Sequence, residues 1–390
     1  MKAEYIIGAV VIGLVAMGLT ILFSTPTLSP TGEYVVESPS ATAQESTELT
    51  SVSTSSKKDT MLSPVRAPAK KKVTPKGIPY TEIVNPSGFV NTEGITIKEL
   101  VGKKVIIVDF LTYSCINCQR TFPYLNAWYD TYKDQGLEID GIHTPEFAFE
   151  KDIGNVREAM KKFGITHPIV LDNNYATWNA YGNRYWPRKY LIDIYGNVIY
   201  DHIGEGGYEE TEMKIRELLA ERADALGAGT SDMDTTLAAS AIPEGVIAAR
   251  SPETYFGSLR NSYLANGTSG RLGEQIFSLP KIFTPNVLYL GGVWNIHPEY
   301  AESVSAASIV YRYNAKEVYI VADADTGSSV EVLQDGKLVG ISGAEDVNAS
   351  GVVMMKESRL YKLIKNTEPG EHVLELKVTG KIRLYAFTFG

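Results

Sequence analysis

Cys115 and Cys118 are the only cysteines in this 390-residue chain, and just Ile116 and Asn117 separate them. With so few thiols the chain cannot be a small scaffold held by several disulfides, nor can it hold a metal with four cysteine ligands. The five histidines are scattered without paired spacing, which leaves a zinc site short of ligands. A structural disulfide here would close a very short loop and restrict the unfolded chain little. The pair therefore favours redox chemistry, in a chain that must fold around an ordinary hydrophobic core.

The composition supplies such a core. Hydrophobic residues make up 44% of the chain and charged residues 21%, values typical of globular domains. At roughly 100–200 residues per domain, the length predicts two folded domains. There are 37 Lys and Arg against 46 Asp and Glu, a formal net charge of −9. Because nucleic-acid-binding proteins usually carry a basic surface, no nucleic-acid partner is expected.

The N-terminal region predicts a membrane anchor followed by a tether. Residues 5–23 carry no charge and, as a helix, would be about 28 Å long, close to the thickness of a bilayer core. A cleaved signal peptide is the alternative, but its apolar region usually has about 7–15 residues. The bias of basic residues places residues 1–4 in the cytoplasm and the rest outside the cell membrane. Residues 24–79 are rich in Ser, Thr and Pro and predict a disordered linker.

Residues 80–226 alternate strand and helix patterns and predict an α/β domain with a mixed sheet. The apolar run VIIVDFL at Val105–Leu111 is typical of a strand buried on both faces. A helix is predicted from the cysteines to Gly136, a typical helix stop. Further elements are predicted at 137–142 (strand), 156–163 (helix), 169–171 (strand), 189–194 and 198–203 (a hairpin) and 209–222 (helix).

Residues 227–250 predict a second linker, and 251–390 predict an all-β sandwich. The pair Asp335-Gly336 is a strong hairpin signal. Strands are predicted at 317–322, 329–333, 337–341, 351–355, 360–364, 372–378 and 382–389. Most of the aromatic residues of this region are expected to pack in its core, namely Tyr263, Tyr289, Trp294, Tyr300, Tyr311 and Tyr313.

The position of the cysteines gives each a predicted role. Cys115 follows the buried strand after a short turn and opens a helix, whose N-terminus stabilises a thiolate. Cys115 is therefore the predicted attacking cysteine. Cys118 lies one turn further on, on the same helical face, and is predicted to face inward and resolve the mixed disulfide.

The region around the dithiol resembles the thioredoxin superfamily. Asp109 stands six positions before the first cysteine and Pro123 five after the second, as in thioredoxins. The resemblance implies that Asp109 is buried behind the pair with a raised pKa and relays the proton of Cys118; a partly hydrated strand acid is the alternative. It also implies that Pro187 is the cis-proline beside the disulfide, with backbone groups that pair with an extended peptide. Trp186 before it is a supporting contact or a core residue.

Further motifs resemble the extracytoplasmic TlpA/DipZ-type branch, whose members relate to cytochrome c biogenesis factors. They are TYSCINC at 112–118, HTPEF at 143–147, NAYG at 179–182 and GEG at 204–206, with SPETYFG at 251–257 and YAFTFG at 385–390 resembling the two ends of a carbohydrate-binding-module-like sandwich. Within HTPEF, Glu146 is expected to be a solvated loop acid. The implied fold class is an α/β thioredoxin-like fold plus an all-β, jelly-roll-like sandwich, preceded by one transmembrane helix.

The implied activity is that of a membrane-anchored thiol:disulfide oxidoreductase that reduces extracytoplasmic protein disulfides with the Cys115–Cys118 pair and no other cofactor. Many relatives carry a fused electron-transfer membrane domain, which this chain replaces with one predicted span. The resemblance therefore implies a separate membrane electron donor of the DsbD/CcdA type, or no donor if the chain works as an oxidant; the residues between the cysteines, Ile116 and Asn117, leave the direction of electron flow open. A glycan ligand for the C-terminal domain follows only from family analogy.

Two other functions stay open at this point. Thr112 and Cys115 form the T-x-x-C of peroxidatic sites, so a peroxiredoxin-like peroxidase is the second hypothesis, although the proline expected upstream is missing from VIIVDF. The third is a glycan- or envelope-binding protein whose redox domain is vestigial.

Overall fold

A computed structural model describes residues 77–227, 237–242, 250–340 and 343–390. The predicted membrane anchor at 5–23 and nearly all of the predicted linker at 24–79 lie outside these ranges. Within the described ranges, no helix is both long and apolar enough to cross a bilayer.

The N-terminal part of the described chain is an α/β domain built on a seven-stranded mixed sheet. Its strands are β1 (Ile78–Pro79), β2 (Gly88–Val90), β3 (Val105–Leu111), β4 (Leu137–His143), β5 (Ile169–Leu171), β6 (Arg188–Ile192) and β7 (Asn197–Ile203). Its helices are α1 (Ile97–Leu100), α2 (Ile116–Tyr132), α3 (Ile153–Lys162), α4 (Ala176–Ala180) and α5 (Tyr208–Leu226), with 3₁₀ turns at Lys133–Gln135, Ala148–Lys151 and Ala238–Ala241.

The strand β3 lies in the middle of this sheet, whose order is β1-β7-β6-β3-β4-β5-β2. It pairs parallel to β4 and antiparallel to β6, and all seven of its residues are buried. The mixed sheet predicted from the sequence is therefore confirmed. Helices cover both faces: α2, α3 and α5 contribute to one core, and α1 and α4 to the other. The carboxyl end of β3, where α2 begins, is thus held rigidly from both sides.

The C-terminal part is a β-domain of ten strands. They are β8 (Thr254–Tyr255), β9 (Gly273–Phe277), β10 (Leu288–Ile296), β11 (Ala301–Ser303), β12 (Ala307–Ala324), β13 (Ser329–Gln334), β14 (Lys337–Leu338), β15 (Val352–Met354), β16 (Arg359–Thr379) and β17 (Ile382–Phe389). These strands pair antiparallel in one connected sheet. Strands β9 to β13, β16 and β17 contribute side chains to a single core, so the sheet folds around that core.

Three of the six aromatic residues predicted to pack in the core of the β-domain, Trp294, Tyr311 and Tyr313, lie in this core. Tyr289 is buried outside it, Tyr300 is partly buried beside a separate apolar cluster, and Tyr263 is 38% exposed. The predicted hairpin at Asp335-Gly336 is also confirmed, since β13 and β14 pair across it and both turn residues have positive φ.

Three predicted boundaries are wrong in detail. The strands predicted at 360–364 and 372–378 are one strand, β16, because β12 continues as its partner on both sides of an irregularity between Ala315 and Glu317. The predicted linker 24–79 includes β1, since Ile78 pairs with Val198. The predicted linker 227–250 includes the 3₁₀ turn Ala238–Ala241, whose first two backbone N–H groups donate to the carboxylate of Glu212 at 2.6 and 2.7 Å.

Candidate active site

The two cysteines lie at the start of α2. After β3 ends, the turn at residues 112–114 leads into Cys115, which caps α2 with an extended backbone (φ −77°, ψ 121°). Cys115 is partly exposed and Cys118 fully buried. Both cysteines contact the core between the sheet and α2, and Cys115 is the more accessible of the two. This is the arrangement that the spacing predicts.

The surroundings of Cys118 oppose its ionisation. Burial raises the pKa of the Cys118 thiol well above its usual range, and the hydrogen bond with Cys115 raises it further. The carboxylate of Asp109 adds to this effect by charge repulsion. A buried thiol of this kind stays protonated at neutral pH, so resolution by Cys118 needs a base that takes its proton.

Asp109 is the candidate base. Alternate residues of a strand share a face. Val105 and Ile107 of β3 lie in the same core as Cys118, so Asp109 faces that core as well. Asp109 is completely buried, so the alternative of a partly hydrated acid is wrong. Neither carboxylate oxygen has a hydrogen-bond partner among the described residues. Burial raises the pKa of Asp109 to about 7, a value suited to proton exchange near neutral pH.

Lys189 is a second buried charge that the sequence did not single out. It lies opposite Asp109 in the β3–β6 register, is 2% exposed, and donates weakly from Nζ to the carbonyl of Gly204 at 3.4 Å. Burial lowers the pKa of Lys189, while its charge partly offsets the burial effect on the pKa of Asp109. One feature of the sequence could have identified Lys189 as buried. It stands two positions before Leu191 in a predicted strand and so shares its face, and Leu191 lies in the core.

Trp186, which precedes Pro187, packs against the core that contains Cys118. The peptide bond between Trp186 and Pro187 is cis. Pro187 is buried, and its carbonyl already accepts one hydrogen bond, from the Gly204 N–H at 2.8 Å. The backbone N–H and C=O of Trp186 have no partner among the described residues. Its ring packs 4.3 Å from the Trp178 ring, and Nε1 donates to the carbonyl of Thr144 at 3.0 Å.

The turn before Cys115 is held by Glu150, which sequence reasoning missed. This fully buried carboxylate accepts hydrogen bonds from the Ser114 hydroxyl at 2.6 Å and the Ser114 N–H at 3.2 Å. Its other oxygen accepts from the N–H groups of Glu146 and Phe147 at 2.6 and 3.0 Å. One side chain thus ties the segment after β4 to the turn that carries the first cysteine.

Glu150→Gln is expected to lower both stability and activity. The glutamine amide would direct N–H groups at donors that now face a carboxylate oxygen, and an unsatisfied buried group costs about 1–3 kcal/mol. We expect a loss of about 2 kcal/mol in the free energy of unfolding and roughly a tenfold slower turnover. Glu146→Gln is the matched control, because its contacts leave Ser114 untouched. Urea unfolding and turnover of both variants check this; equal effects in the two would contradict the role of Glu150.

The β-domain packs directly against this turn. Ile116, between the two cysteines, belongs to an apolar cluster with Tyr319, Leu360 and Tyr385 of the β-domain. The Tyr113 hydroxyl donates to the carbonyl of Ser358 at 2.9 Å. The dithiol turn is therefore part of the contact between the two domains, which the sequence did not predict.

Glu146 also lies at this contact. Its carboxylate pairs with Arg260 at 2.6 Å and accepts from the Tyr255 hydroxyl at 2.8 Å. The prediction of a solvated loop acid is wrong, because the β-domain covers the loop that carries Glu146 and supplies both partners.

Comparison with known families agrees with this two-part organisation. Residues 82–219 match the family described as Redoxin, and residues 251–390 match the family described as Thioredoxin like C-terminal domain.

Several known proteins are similar to the chain. Protein DipZ of Mycobacterium tuberculosis is 38% identical over 310 residues, which cover 78% of this chain and 42% of DipZ. Thiol-disulfide oxidoreductase YkuV of Bacillus subtilis is 30% identical over 143 residues, 37% of this chain and 95% of YkuV. Thiol-disulfide oxidoreductase ResA of Halalkalibacterium halodurans is 33% identical over 131 residues, 34% of this chain and 70% of ResA. The chain thus spans less than half the length of DipZ.

Proposed function

The chain belongs to the thioredoxin-like thiol:disulfide oxidoreductases, and we propose that it is a membrane-anchored, extracytoplasmic member that reduces protein disulfides. The observation that carries the proposal is the difference in exposure at the start of α2. Cys115 is partly exposed, Cys118 is buried, and the buried Asp109 faces the core that contains Cys118.

The proposed reaction has two exchange steps. The Cys115 thiolate attacks a client disulfide, forms a mixed disulfide with one client sulfur and releases the other as a thiolate. Cys118 then attacks the Cys115 sulfur, forms the Cys115–Cys118 disulfide and releases the second client sulfur. The enzyme dithiol loses two electrons and the client disulfide gains them.

Asp109 acts in the second step as the proposed base. The Cys118 thiol must lose its proton before it attacks, and the Asp109 carboxylate takes that proton. The client then leaves as a thiolate that takes a proton from solvent. The unpaired backbone of Trp186 supports docking of the client as an extended segment, since it offers one donor and one acceptor to a neighbouring strand.

The reductive direction follows from the resemblance to the TlpA/DipZ-type branch. Strongly oxidising members of this fold owe their potential to a stabilised thiolate, which favours the reduced form. Because Cys118 is protonated at neutral pH, its raised pKa leaves the potential of the pair there unchanged, and the direction has to be measured.

The proposed partners follow from this direction. A reductant needs a donor of two electrons, and a membrane dithiol donor of the DsbD/CcdA type suits a protein anchored by residues 5–23 with its folded domains outside. Protein disulfides of the cell envelope are the proposed clients, with cytochrome c biogenesis or envelope redox homeostasis as the proposed process. A glycan ligand for the β-domain is a weaker proposal, because most of its aromatic rings are buried in its core.

The reduction potential of the full chain tests the direction. Equilibration with dithiothreitol or glutathione redox buffers, followed by thiol alkylation and mass measurement, gives the oxidised fraction. We expect a potential below about −200 mV, on the side of thioredoxin at about −270 mV. A potential near about −120 mV, that of a strong oxidant, would reverse the proposed electron flow.

A further inference from the structure

A cleft of about 580 Å³ lies along α2, between that helix and the β-domain. Ile116, Arg120 and Pro123 line one wall, at positions that share a face of α2. Tyr319 of β12 and Lys365 of β16 line the other. Neither cysteine lines the cleft, but Ile116 does and follows Cys115 directly in the chain, so the cleft begins at the residue next to the proposed attacking cysteine.

Its dimensions suit a short peptide. The nine residues from Ile116 to Tyr124 that flank it on α2 extend about 12 Å along the helix axis. An extended chain advances about 3.3 Å per residue, so the cleft accommodates about four residues of a client. Its lining mixes apolar side chains with charged ones, as an extended backbone with alternating side chains requires.

The charges of the cleft give it a preference. Lys365 is exposed and has no ion-pair partner among the described residues. The other charged side chains that line the cleft between the domains form pairs: Arg120 with Glu205 at 3.1 Å and Glu317 at 3.8 Å, and Lys362 with Glu345 at 3.0 Å. Lys365 is thus the charge left to meet a ligand.

We propose that this cleft is the client-binding subsite of the enzyme and takes an extended segment with an acidic residue within about four positions of the client cysteine. The β-domain then serves the redox reaction directly, because β12 and β16 form the wall that the client contacts. The Lys365 ammonium pairs with the client carboxylate while Cys115 attacks the client disulfide. This inference rests on the proposed reduction of protein disulfides.

Two synthetic peptide disulfides test the subsite with the full chain and dithiothreitol as electron donor. They are identical except that the residues flanking one cysteine alternate Glu-Ser in one peptide and Lys-Ser in the other. We expect kcat/KM to be about fivefold higher for the acidic peptide, the effect of one partly shielded ion pair. Lys365→Glu is expected to reverse this preference.

Lys377→Glu is the matched control. Lys377 is also an exposed lysine of β16 but does not line the cleft, so its substitution changes net charge equally and is expected to keep the preference for the acidic peptide. Reduction of a small aromatic disulfide at unchanged rate shows that both variants keep a working dithiol.

Three results would overturn the subsite. Lys365→Glu could leave the preference as it is in the native chain, or Lys377→Glu could shift it equally, which would make it a long-range charge effect. The native chain could also reduce both peptides equally well. If it reduces neither peptide, the proposed function itself fails, and the subsite with it.

Discussion

Replacing Cys115 with serine is expected to slow reduction of a protein disulfide at least about a thousandfold, because the hydroxyl cannot replace a thiolate as nucleophile. Cys118→Ser is expected to lose sustained turnover as well, since the mixed disulfide can no longer be resolved within the enzyme. The two variants differ in their first step: Cys118→Ser still releases one client thiol per enzyme, and Cys115→Ser releases none.

Insulin with dithiothreitol as donor, followed by turbidity and by thiol titration of the first turnover, measures both effects. Ser114→Ala removes the hydroxyl that Glu150 holds but leaves both sulfurs, so it measures the effect of disturbing the turn, expected to be about tenfold, apart from loss of the nucleophile. Turnover by Cys115→Ser at more than about a tenth of the native rate would contradict its role as nucleophile.

Asp109→Asn is expected to slow turnover about a hundredfold at pH 7, the usual contribution of a positioned general base. In the native enzyme, the rate of the resolving step should rise with pH until Asp109 is ionised, with a midpoint close to its pKa of about 7. Without the carboxylate, the rate should rise only where the Cys118 thiol itself ionises, at distinctly higher pH. Stopped-flow release of the second client thiol across pH 5.5 to 9 measures the profile.

The same substitution is expected to change how stability depends on pH. The folded pKa of Asp109, about 7, lies above its ordinary value of 3.8, so the folded protein binds more protons than the unfolded chain between these values. Asp109 therefore contributes stability at low pH that is lost as the pH rises toward 7. The loss is about 1.4 kcal/mol per pH unit, or about 2 kcal/mol from pH 5.5 to 7. Urea unfolding of Asp109→Asn should lack this slope.

Asp140→Asn separates the two effects. Asp140 on β4 is also completely buried without a hydrogen-bond partner among the described residues, and burial raises its pKa. It alternates with Ile139 and therefore faces the opposite core. We expect its substitution to change the pH dependence of stability but to leave the resolving step as in the native enzyme. A slow resolving step in both variants would contradict the role of Asp109.

The sequence predicted the parts of the site that depend on local pattern. A continuous apolar run specifies a strand buried on both faces, and a C-x-x-C directly after it specifies the start of a helix with its first residue outward. These features follow from neighbours a few residues apart, so no long-range information is needed. The position of Asp109 behind the pair was implied only by the resemblance to thioredoxins, and in the structure the alternation within β3 places it on the face of Cys118.

What the sequence could not predict depends on distant contacts. From the sequence, Lys189 is predicted to be a solvated charge, because only the fold shows that its strand is paired on both sides. Glu150 is likewise predicted to be a surface acid, because only the fold brings its four hydrogen-bond donors together. The breadth of the contact between the dithiol turn and the β-domain arises from residues more than 200 positions apart, such as Tyr113 and Ser358. Likewise, β16 is continuous only because β12 pairs with it throughout.

The most direct test of the exchange mechanism is to identify the cysteine that carries a trapped client. Cys118→Ser is incubated with an oxidised client, excess thiols are alkylated at low pH, and the covalent adducts are digested and sequenced by mass spectrometry. We expect a stoichiometric adduct on Cys115 in this variant and no adduct on Cys118 in Cys115→Ser. Adducts on Cys118, or none in either variant while the native chain reduces the same client, would contradict it.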